Sequence, residues 1–202
     1  MITYRKLKKS DSEEIAKIHL KAFPNFFLTT LGYSFLNTYY QTCVVQKDVI
    51  GFCAVEKSTN KIIGFSIGCL HSKNFNINLV ISNLRLYCNQ FFILLFKDPS
   101  SILRLIKNLN KANNSFDDRN YSELLSIAVL PKKKKLGIGK NLLNSFEEQV
   151  FKRGGKIITL TTDSKSNEKV IKFYNDSGYK LYYNFISYPK REMLRMIKLK
   201  QI

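Results

Sequence analysis

The sequence has few of the residues that disulfide-rich and metal-binding proteins require. Its 202 residues include four cysteines and two histidines. The cysteines form no C-x-x-C pair and lie within apolar runs, so we expect buried, reduced thiols rather than a disulfide framework or a zinc site: they are Cys43, Cys53, Cys69 and Cys88. His19 and His71 are too few and too scattered to indicate a metal centre, and no metal is predicted.

Long apolar runs are also missing. The longest, Phe91–Phe96, has six residues, whereas a helix needs about 20 to span a bilayer. The first residues, Met-Ile-Thr-Tyr-Arg-Lys, contain no apolar segment of the signal-peptide type. Internal repeats and low-complexity linkers are absent from the sequence. We therefore expect one domain, residues 1–202, in the cytoplasm.

A lysine-rich loop between a predicted strand and a predicted helix is the most informative feature. The apolar run 123–130 predicts the strand, and the loop contains Lys132–Lys135, Gly137 and Gly139. The first N–H groups of the following helix lack intrahelical partners, and its dipole adds about half a positive charge there. We expect a phosphate group to bind at this point. The apolar face of the helix consists of Ile138, Leu142, Leu143, Phe146 and Val150.

The loop has neither P-loop nor G-x-G-x-x-G spacing. It resembles motif A of the GNAT superfamily of N-acetyltransferases, Val-x-Pro-x-x-(Gln/Arg)-x-x-Gly-x-(Gly/Ala), whose backbone amides hold the pyrophosphate of acetyl-CoA. Lys134 replaces the usual Gln or Arg, which keeps a charge but loses planar hydrogen bonding. The matching residues are Val129, Pro131, Gly137, Ile138 and Gly139.

A second pattern follows the predicted strand Lys156–Thr162. It resembles motif B of the same superfamily, Asn-x-x-Ala-x-x-Phe/Leu-Tyr-x-x-x-Gly-Phe, with Val170 and Tyr179 as mild departures. Asn167 is expected at the start of a helix, and Gly178 at a left-handed stop. The matching residues are Asn167, Phe173, Tyr174 and Gly178.

The resemblance implies a mixed α/β (α+β) fold with a mostly antiparallel central sheet flanked by helices. It implies direct transfer of an acetyl group from acetyl-CoA, the co-substrate, to a primary amine in a ternary complex, without a metal. The residues expected to bind the coenzyme are Ile127, Ala128, Val129, Lys134, Lys135, Leu136, Gly137, Ile138, Gly139, Lys140, Asn167 and Tyr174.

Two residues are predicted to be catalytic. Tyr174 matches the tyrosine that the family uses as general acid toward the coenzyme A sulfur, and the resemblance implies a splayed strand with free amides near Ile127 and Val129. Alternation along the strand puts Glu123 on the side of Ile127. Glu123 is the candidate base, but it lies about 13 Å along the strand from Ile127, so a water relay is needed. A solvent-facing edge glutamate is an equally open interpretation.

The acceptor site is expected at the connection between the first two helices, with Asn25, Phe26 and Phe27 as substrate-binding residues. This connection resembles those of acetyltransferases in surface-polysaccharide pathways, which implies an amino sugar or a sugar nucleotide as acceptor. A protein N-terminal or lysine acetyltransferase remains an alternative, and so does a non-catalytic coenzyme A-binding sensor. No nucleic acid, no stable membrane insertion, and a monomer or homodimer are expected.

Hydrophobic patterning predicts the order of elements. The expected strands are 2–8, 49–56, 61–70, 123–130, 156–162, 179–188 and 193–199. A capping box, Ser10–Glu13, opens the first helix, which ends before Pro24, and a second helix covers 31–46. Residues 71–120 form an insertion with two predicted helices, 77–97 and 99–113.

Basic residues outnumber acidic ones by 33 to 15, which gives a net charge of +18 and a pI near 9.8. Phosphates of the coenzyme account only for Lys132–Lys135. The rest is compositional bias or serves an anionic surface. The predicted helix 99–113 is basic and amphipathic, with Arg104, Lys107 and Lys111 opposite its apolar face. An ordinary surface helix packed on the domain is the favoured interpretation.

Overall fold

The computed structural model describes residues 1–110, 117–134 and 136–200. Lys135, Lys111 and the predicted helical residues 111–113 lie outside these ranges. The strands are β1 Ile2–Lys6, β2 Val49–Glu56, β3 Lys61–Cys69, β4 Ser122–Val129, β5 Ile157–Asp163, β6 Lys180–Ser187 and β7 Arg191–Leu199. The helices are α1 Ser12–Ala22, α2 Phe27–Thr30, α3 Gly32–Val44, α4 Phe75–Ser82, α5 Leu84–Lys97, α6 Pro99–Asn110, α7 Ile138–Lys152 and α8 Glu168–Asn175.

The strands form one sheet in the order β1-β2-β3-β4-β5-β7-β6. Every neighbouring pair is antiparallel except β4 and β5, which run parallel. A parallel pair needs a crossover connection, and α7 supplies it. The predicted mixed, mostly antiparallel sheet flanked by helices is therefore confirmed.

Helices cover both faces of the sheet. On one face, α1 and α3 bury Ile15, Leu36 and Tyr40 against Phe65 and Ile67. On the other face, α7 packs its apolar stripe on β2, β3 and β4, and α8 lies beside it. The stripe is the one that helical spacing predicts, and all five of its members are at most 1% exposed. Burial of this stripe fixes the start of α7 at the end of β4.

A β-bulge interrupts β4 at Leu125. Gly68 of β3 is opposite Leu124, and the next residue along, Ile67, is opposite Ser126, so Leu125 is the extra residue. The bulge reverses the alternation: Leu124 and Ile127 pack on the α7 side, while Ser126 accepts a hydrogen bond from the α3 side. The prediction that Glu123 shares a face with Ile127 is therefore wrong, because simple alternation cannot include the extra residue.

The described part of the insertion between β3 and β4 contains three helices, whereas two were predicted. The predicted helix 77–97 is broken at Asn83 into α4 and α5, which meet at 95°. The expectation for α6 is supported, since Ile102 and Leu105 pack on α2 and α3 in a small core with Phe35, Tyr87 and Leu94. The one-turn helix α2 was not predicted.

Two further sequence-based expectations need correction. Cys88 is exposed, while the other three cysteines are buried. The predicted capping box at Ser10–Glu13 is replaced by Asp11, whose carboxylate accepts the Lys8 N–H at 2.8 Å and two hydrogen bonds from Arg5 at 2.7 and 2.9 Å. The ion pair holds the pKa of Asp11 below its usual value against the opposing effect of burial.

Candidate active site

The two parallel strands β4 and β5 diverge shortly after they begin. They pair only at Ser122–Ile158, Glu123–Thr159 and Leu124–Leu160, although β4 continues to Val129 and β5 to Asp163. The remaining part of β4 keeps its pairing with β3 on its other edge. A wedge-shaped gap therefore opens between the carboxyl halves of β4 and β5, as the family resemblance implies.

Backbone amides of β4 face this gap. The Leu130 N–H donates to Ile63 O of β3 at 2.8 Å, so alternation directs the Ala128 N–H toward β3 as well. The N–H groups of Ile127 and Val129 consequently face the side where β5 has moved away. These two N–H groups are placed to donate hydrogen bonds to the oxygen of an acyl group or to an amide of an extended ligand.

The lysine-rich loop leads directly into the start of α7. Gly137 precedes the helix with φ +71°, a left-handed conformation that favours glycine, and a Cβ at this position would meet no protein atom within 4 Å. A Cβ on Gly139 would make ordinary contacts with Phe173 and Val129 at 3.9 and 4.0 Å. The left-handed turn thus sets the shape of the open N-terminus of α7, as expected for an anion-binding site.

The basic side chains of the loop have different surroundings. Lys133 is ion-paired with Glu56 at 2.6 Å, which fastens the loop to β2. Lys132, Lys134 and Leu136 are exposed. Lys140, in the first turn of α7, donates to Ser177 Oγ at 3.0 Å. Ile138 is buried and anchors the turn, so any contact of Ile138 with a ligand is through its backbone.

Helix α8 brings the second motif to the same place. The Phe173 ring lies beside Gly139, and Tyr174 packs among Leu143, Phe146 and Leu160. Tyr174 is 6% exposed, and burial raises its pKa well above the usual value. The phenol is therefore protonated at any working pH. The same shift weakens it as an acid.

Asn167 has a role that differs from simple capping. It occupies the position before α8, but its side-chain amide donates backward, to Thr162 Oγ1 at 2.6 Å and to Asp163 O at 3.0 Å. It thereby ties the start of α8 to the end of β5, beside the gap. The predicted stop at Gly178 has the expected left-handed φ of +87°.

Glu123 is enclosed in a polar network. One of its carboxylate oxygens accepts a hydrogen bond from Ser72 Oγ, and the other accepts one from Arg195 Nη1 at 2.5 Å. Arg195 is 4% exposed, and the Glu123 carboxylate raises its pKa against the opposing effect of burial. Both carboxylate oxygens are thus engaged before any substrate is present. The assignment of Glu123 as base stays a prediction.

Sequence reasoning missed the remainder of this network. Asp117 accepts hydrogen bonds from the hydroxyls of Tyr121, at 2.7 Å, and Tyr183, at 2.5 Å. The Arg195 guanidinium lies 5.6 Å from the centre of the Tyr121 ring. An arginine within the otherwise apolar run Met193–Ile197 was the available signal. The partners of Arg195 are distant in sequence, and they come together only because β7 lies next to β5 in the sheet.

The predicted acceptor residues lie against basic side chains. The Arg191 guanidinium is 4.1 Å from the centre of the Phe26 ring, and the Arg104 guanidinium is 4.6 Å from that of Phe27. Arg191 also pairs with Asp163 at the end of β5. Phe26 therefore contacts the start of β7, beside the turn between β6 and β7. Phe27 instead faces the insertion and is partly buried against its core. Asn25 is exposed.

A cavity of about 330 Å³ opens beside Glu123. Its lining includes His71 and Lys73, the neighbours of the Ser72 that binds Glu123. Lys73 and Arg119 together outweigh the one acidic side chain in the lining, Asp118. The described residues contain no group of three or more metal-ligating side chains.

The sequence profile of the acetyltransferase (GNAT) family matches residues 12–179. This match covers most of the chain, and the chain belongs to that family. The enzyme class is therefore an acetyl-CoA-dependent acetyltransferase. A search of curated proteins finds no match.

Solved structures with the same fold act on different amines. The ribosomal-protein-S18-alanine N-acetyltransferase from Escherichia coli is 16% identical, with a TM-score of 0.63 and coverage of 100% of this chain and 96% of that one. Arabidopsis thaliana NAA60, in complex with a bisubstrate analogue, is 16% identical, with a TM-score of 0.62 and full coverage of both chains. The spermidine/spermine N-acetyltransferase SpeG from Vibrio cholerae is 14% identical, with a TM-score of 0.56 and coverage of 98% and 95%. At these identities the likeness shows the fold alone.

Proposed function

We propose that the chain transfers the acetyl group of acetyl-CoA to the primary amine of a small molecule such as an amino sugar or a sugar nucleotide, and that it prefers the phosphate-bearing, anionic members of this class. The observation that carries the catalytic part is the divergence of β4 and β5. Three features border the resulting gap or the helices packed beside it. They are the free amides of Ile127 and Val129, the left-handed turn at Gly137 and the phenol of Tyr174.

The loop and the start of α7 are suited to hold the pyrophosphate. The first N–H groups of α7 and the exposed side chains of Lys132 and Lys134 supply donors and positive charge. Asn167, which ties α8 to β5, stabilises the same end of the gap. Backbone donors do not require a particular side chain, so the replacement of Gln or Arg by Lys134 is compatible with this role.

Acetyl-CoA supplies the thioester, whose C–S bond breaks as the C–N bond of the amide forms. The N–H groups of Ile127 and Val129 would hold the carbonyl oxygen, and fixed donors of this kind contribute about 3–4 kcal/mol to acyl transfer. Tyr174 would donate its proton to the departing sulfur and regain one from solvent. The amine loses its proton to Glu123 through water, or to water directly.

The basic and aromatic surroundings of the acceptor region favour an anionic acceptor. Phe26 and Arg191 form one wall, and Lys73 and Arg119 line the cavity beside Glu123. A polycationic amine would be repelled by this set and by the net charge of +18. A phosphate-bearing sugar offers both an anion for the basic side chains and a flat group for Phe26.

Two other functions remain candidates. A protein N-terminus is favoured by the contact of Arg191 with Phe26, which brings the β6–β7 hairpin over the acceptor connection, where an extended peptide could lie. A coenzyme A sensor would need the same cradle but would have no use for Tyr174 as a proton donor.

A panel of acceptors tests the proposal. Free thiol release from acetyl-CoA is measured with amino sugars, amino-sugar nucleotides, N-terminal peptides and polyamines at equal concentration. We expect the highest kcat/KM for the sugar nucleotides. A preference for peptides would replace the acceptor assignment, and tight acetyl-CoA binding without turnover on any amine would favour the sensor.

A further inference from the structure

An apolar stripe on the outer face of α5 is exposed to solvent. Its members recur at i, i+4, i+7, i+8, i+11 and i+12, which is the spacing of one helical face. Phe96 is 86% exposed, Phe92 59% and Leu84 57%. We call this face the outer stripe: Leu84, Cys88, Phe91, Phe92, Leu95 and Phe96.

The outer stripe is separate from the face that holds α5 to the protein. Tyr87, Gln90 and Leu94 are buried at the spacing i, i+3, i+7, and Tyr87 and Leu94 belong to the core shared with α3 and α6. The Tyr87 hydroxyl is 2.8 Å from Thr42 Oγ1. Packing of α5 on the domain is thus complete without the outer stripe, and exposed clusters of large apolar residues mark interaction surfaces.

The sequence segment that contains the stripe is mostly basic. From Lys57 to Phe116 the sequence contains one acidic residue, Asp98. Arg85 and Lys97 lie on α5 itself, and both are exposed. The basic residues of this segment are Lys57, Lys61, Lys73, Arg85, Lys97, Arg104, Lys107 and Lys111. A surface that combines bulky apolar groups with an excess of positive charge is complementary to an anionic lipid layer.

The geometry favours lying on a bilayer over crossing it. Among the described residues no single helix is long and apolar enough to span, and α4 with α5 reaches that length only across a 95° bend. The 14 residues of α5 extend about 21 Å, less than the roughly 30 Å of a hydrocarbon core. Of the described side chains of α6, Ile102 and Leu105 pack inward and Leu103 is exposed, so the larger exposed apolar surface lies on α5.

We propose that the outer stripe of α5 docks on the surface of an anionic lipid bilayer, with Phe92 and Phe96 inserted among the acyl chains and Arg85, beside the stripe, at the headgroups. This inference does not depend on the acceptor. A second copy of the chain is the competing occupant. It is disfavoured because two copies would bring the same basic segments together without acidic partners.

The test uses the full chain and sedimentation with vesicles of phosphatidylcholine containing 30% phosphatidylserine. We expect Phe92→Ser combined with Phe96→Ser to lower the partition coefficient at least tenfold, since these are the two most exposed side chains of the stripe. Arg85→Gln should lower it about fivefold at low salt. A matched control, Leu181→Ser with Leu199→Ser, removes two exposed apolar side chains from β6 and β7 and should bind like the wild type.

Cys88 provides a second readout in the unmodified protein. It lies on the outer stripe, and the other three cysteines are buried, so a water-soluble thiol reagent should modify one thiol per native chain. Anionic vesicles should slow that reaction at least tenfold. The proposal would be overturned if vesicles did not change the reaction rate of Cys88 and if the wild type and Phe92→Ser/Phe96→Ser sedimented equally. Loss of a concentration-dependent dimer in that variant, without vesicle binding by the wild type, would also overturn it and assign the stripe to self-association.

Discussion

Gly137 allows the anion cradle to be tested with an internal control. The perturbation is Gly137→Glu, and the control is Gly154→Glu. Both glycines have positive φ, +71° and +89°, and a Cβ at either position meets no atom within 4 Å. A non-glycine residue in this conformation costs about 1–2 kcal/mol. Both variants should therefore lose about the same free energy of unfolding, and their Tm values should fall by about 2–8 °C.

Only Gly137→Glu should weaken acetyl-CoA binding. A carboxylate about 4 Å from a phosphate charge is opposed by about 4 kcal/mol at an effective dielectric constant of 20, so a tenfold rise in Kd, about 1.4 kcal/mol, is the minimum expected. Gly154 follows α7 at its other end, so its variant should bind with the Kd of the wild type.

Calorimetric titration with acetyl-CoA, paired with a thermal melt, separates the two effects. Equal Kd values for the two variants would refute the assignment of the pyrophosphate to the start of α7. A difference that vanishes at 1 M salt, where the Debye length is about 3 Å, would show that charge alone accounts for it.

Three further predictions concern buried polar groups. Tyr174→Phe should lower kcat by about 10²–10⁴ with an unchanged Kd for acetyl-CoA, and a kcat within a factor of a few of wild type would leave Tyr174 a packing role. Glu123→Gln should destabilise the protein by about 3–5 kcal/mol because it leaves Arg195 buried without a counter-charge. Adding Arg195→Met should restore stability in urea titrations. If the double variant also regained activity, Glu123 would be excluded as the base. Burial lowers the pKa of His19 to about 4, below its unfolded value of about 6.5, so stability is full above pH 6.5 and falls by about 3 kcal/mol toward pH 4. Urea titrations should show this loss in wild type and in the exposed-residue control His71→Gln, but not in His19→Gln.

The catalytic half of the fold was predictable because its signals are local. The apolar spacing of α7 and the β-branched run of β5 each depend on residues close in sequence, and the predicted bounds of β5, 156–162, differ from the observed ones by one residue at each end. The left-handed stop at Gly178 was equally accessible, since glycine is favoured where φ is positive.

Features that depend on contacts between distant segments were not predictable in this way. The bulge at Leu125 is a property of the β3–β4 pair, where a Cβ on Gly68 would lie 2.3 Å from Glu123 O and 2.6 Å from the Phe146 ring. The Glu123–Arg195 pair joins positions 72 residues apart. The break at Asn83 occurs within a run whose apolar residues suit a helix throughout, so composition alone favoured one helix.

The insertion also has a mechanical consequence. Phe27 lies in the same small core as Tyr87 and Leu94, so α5 is joined to the predicted acceptor connection by close packing and not by a flexible tether. Packed cores shift between discrete arrangements and resist gradual deformation. Suppose that a ligand bound at the outer face of α5 changes the affinity for an acceptor at Phe27. Reciprocity then requires the bound acceptor to change the affinity of that face for its ligand by the same factor.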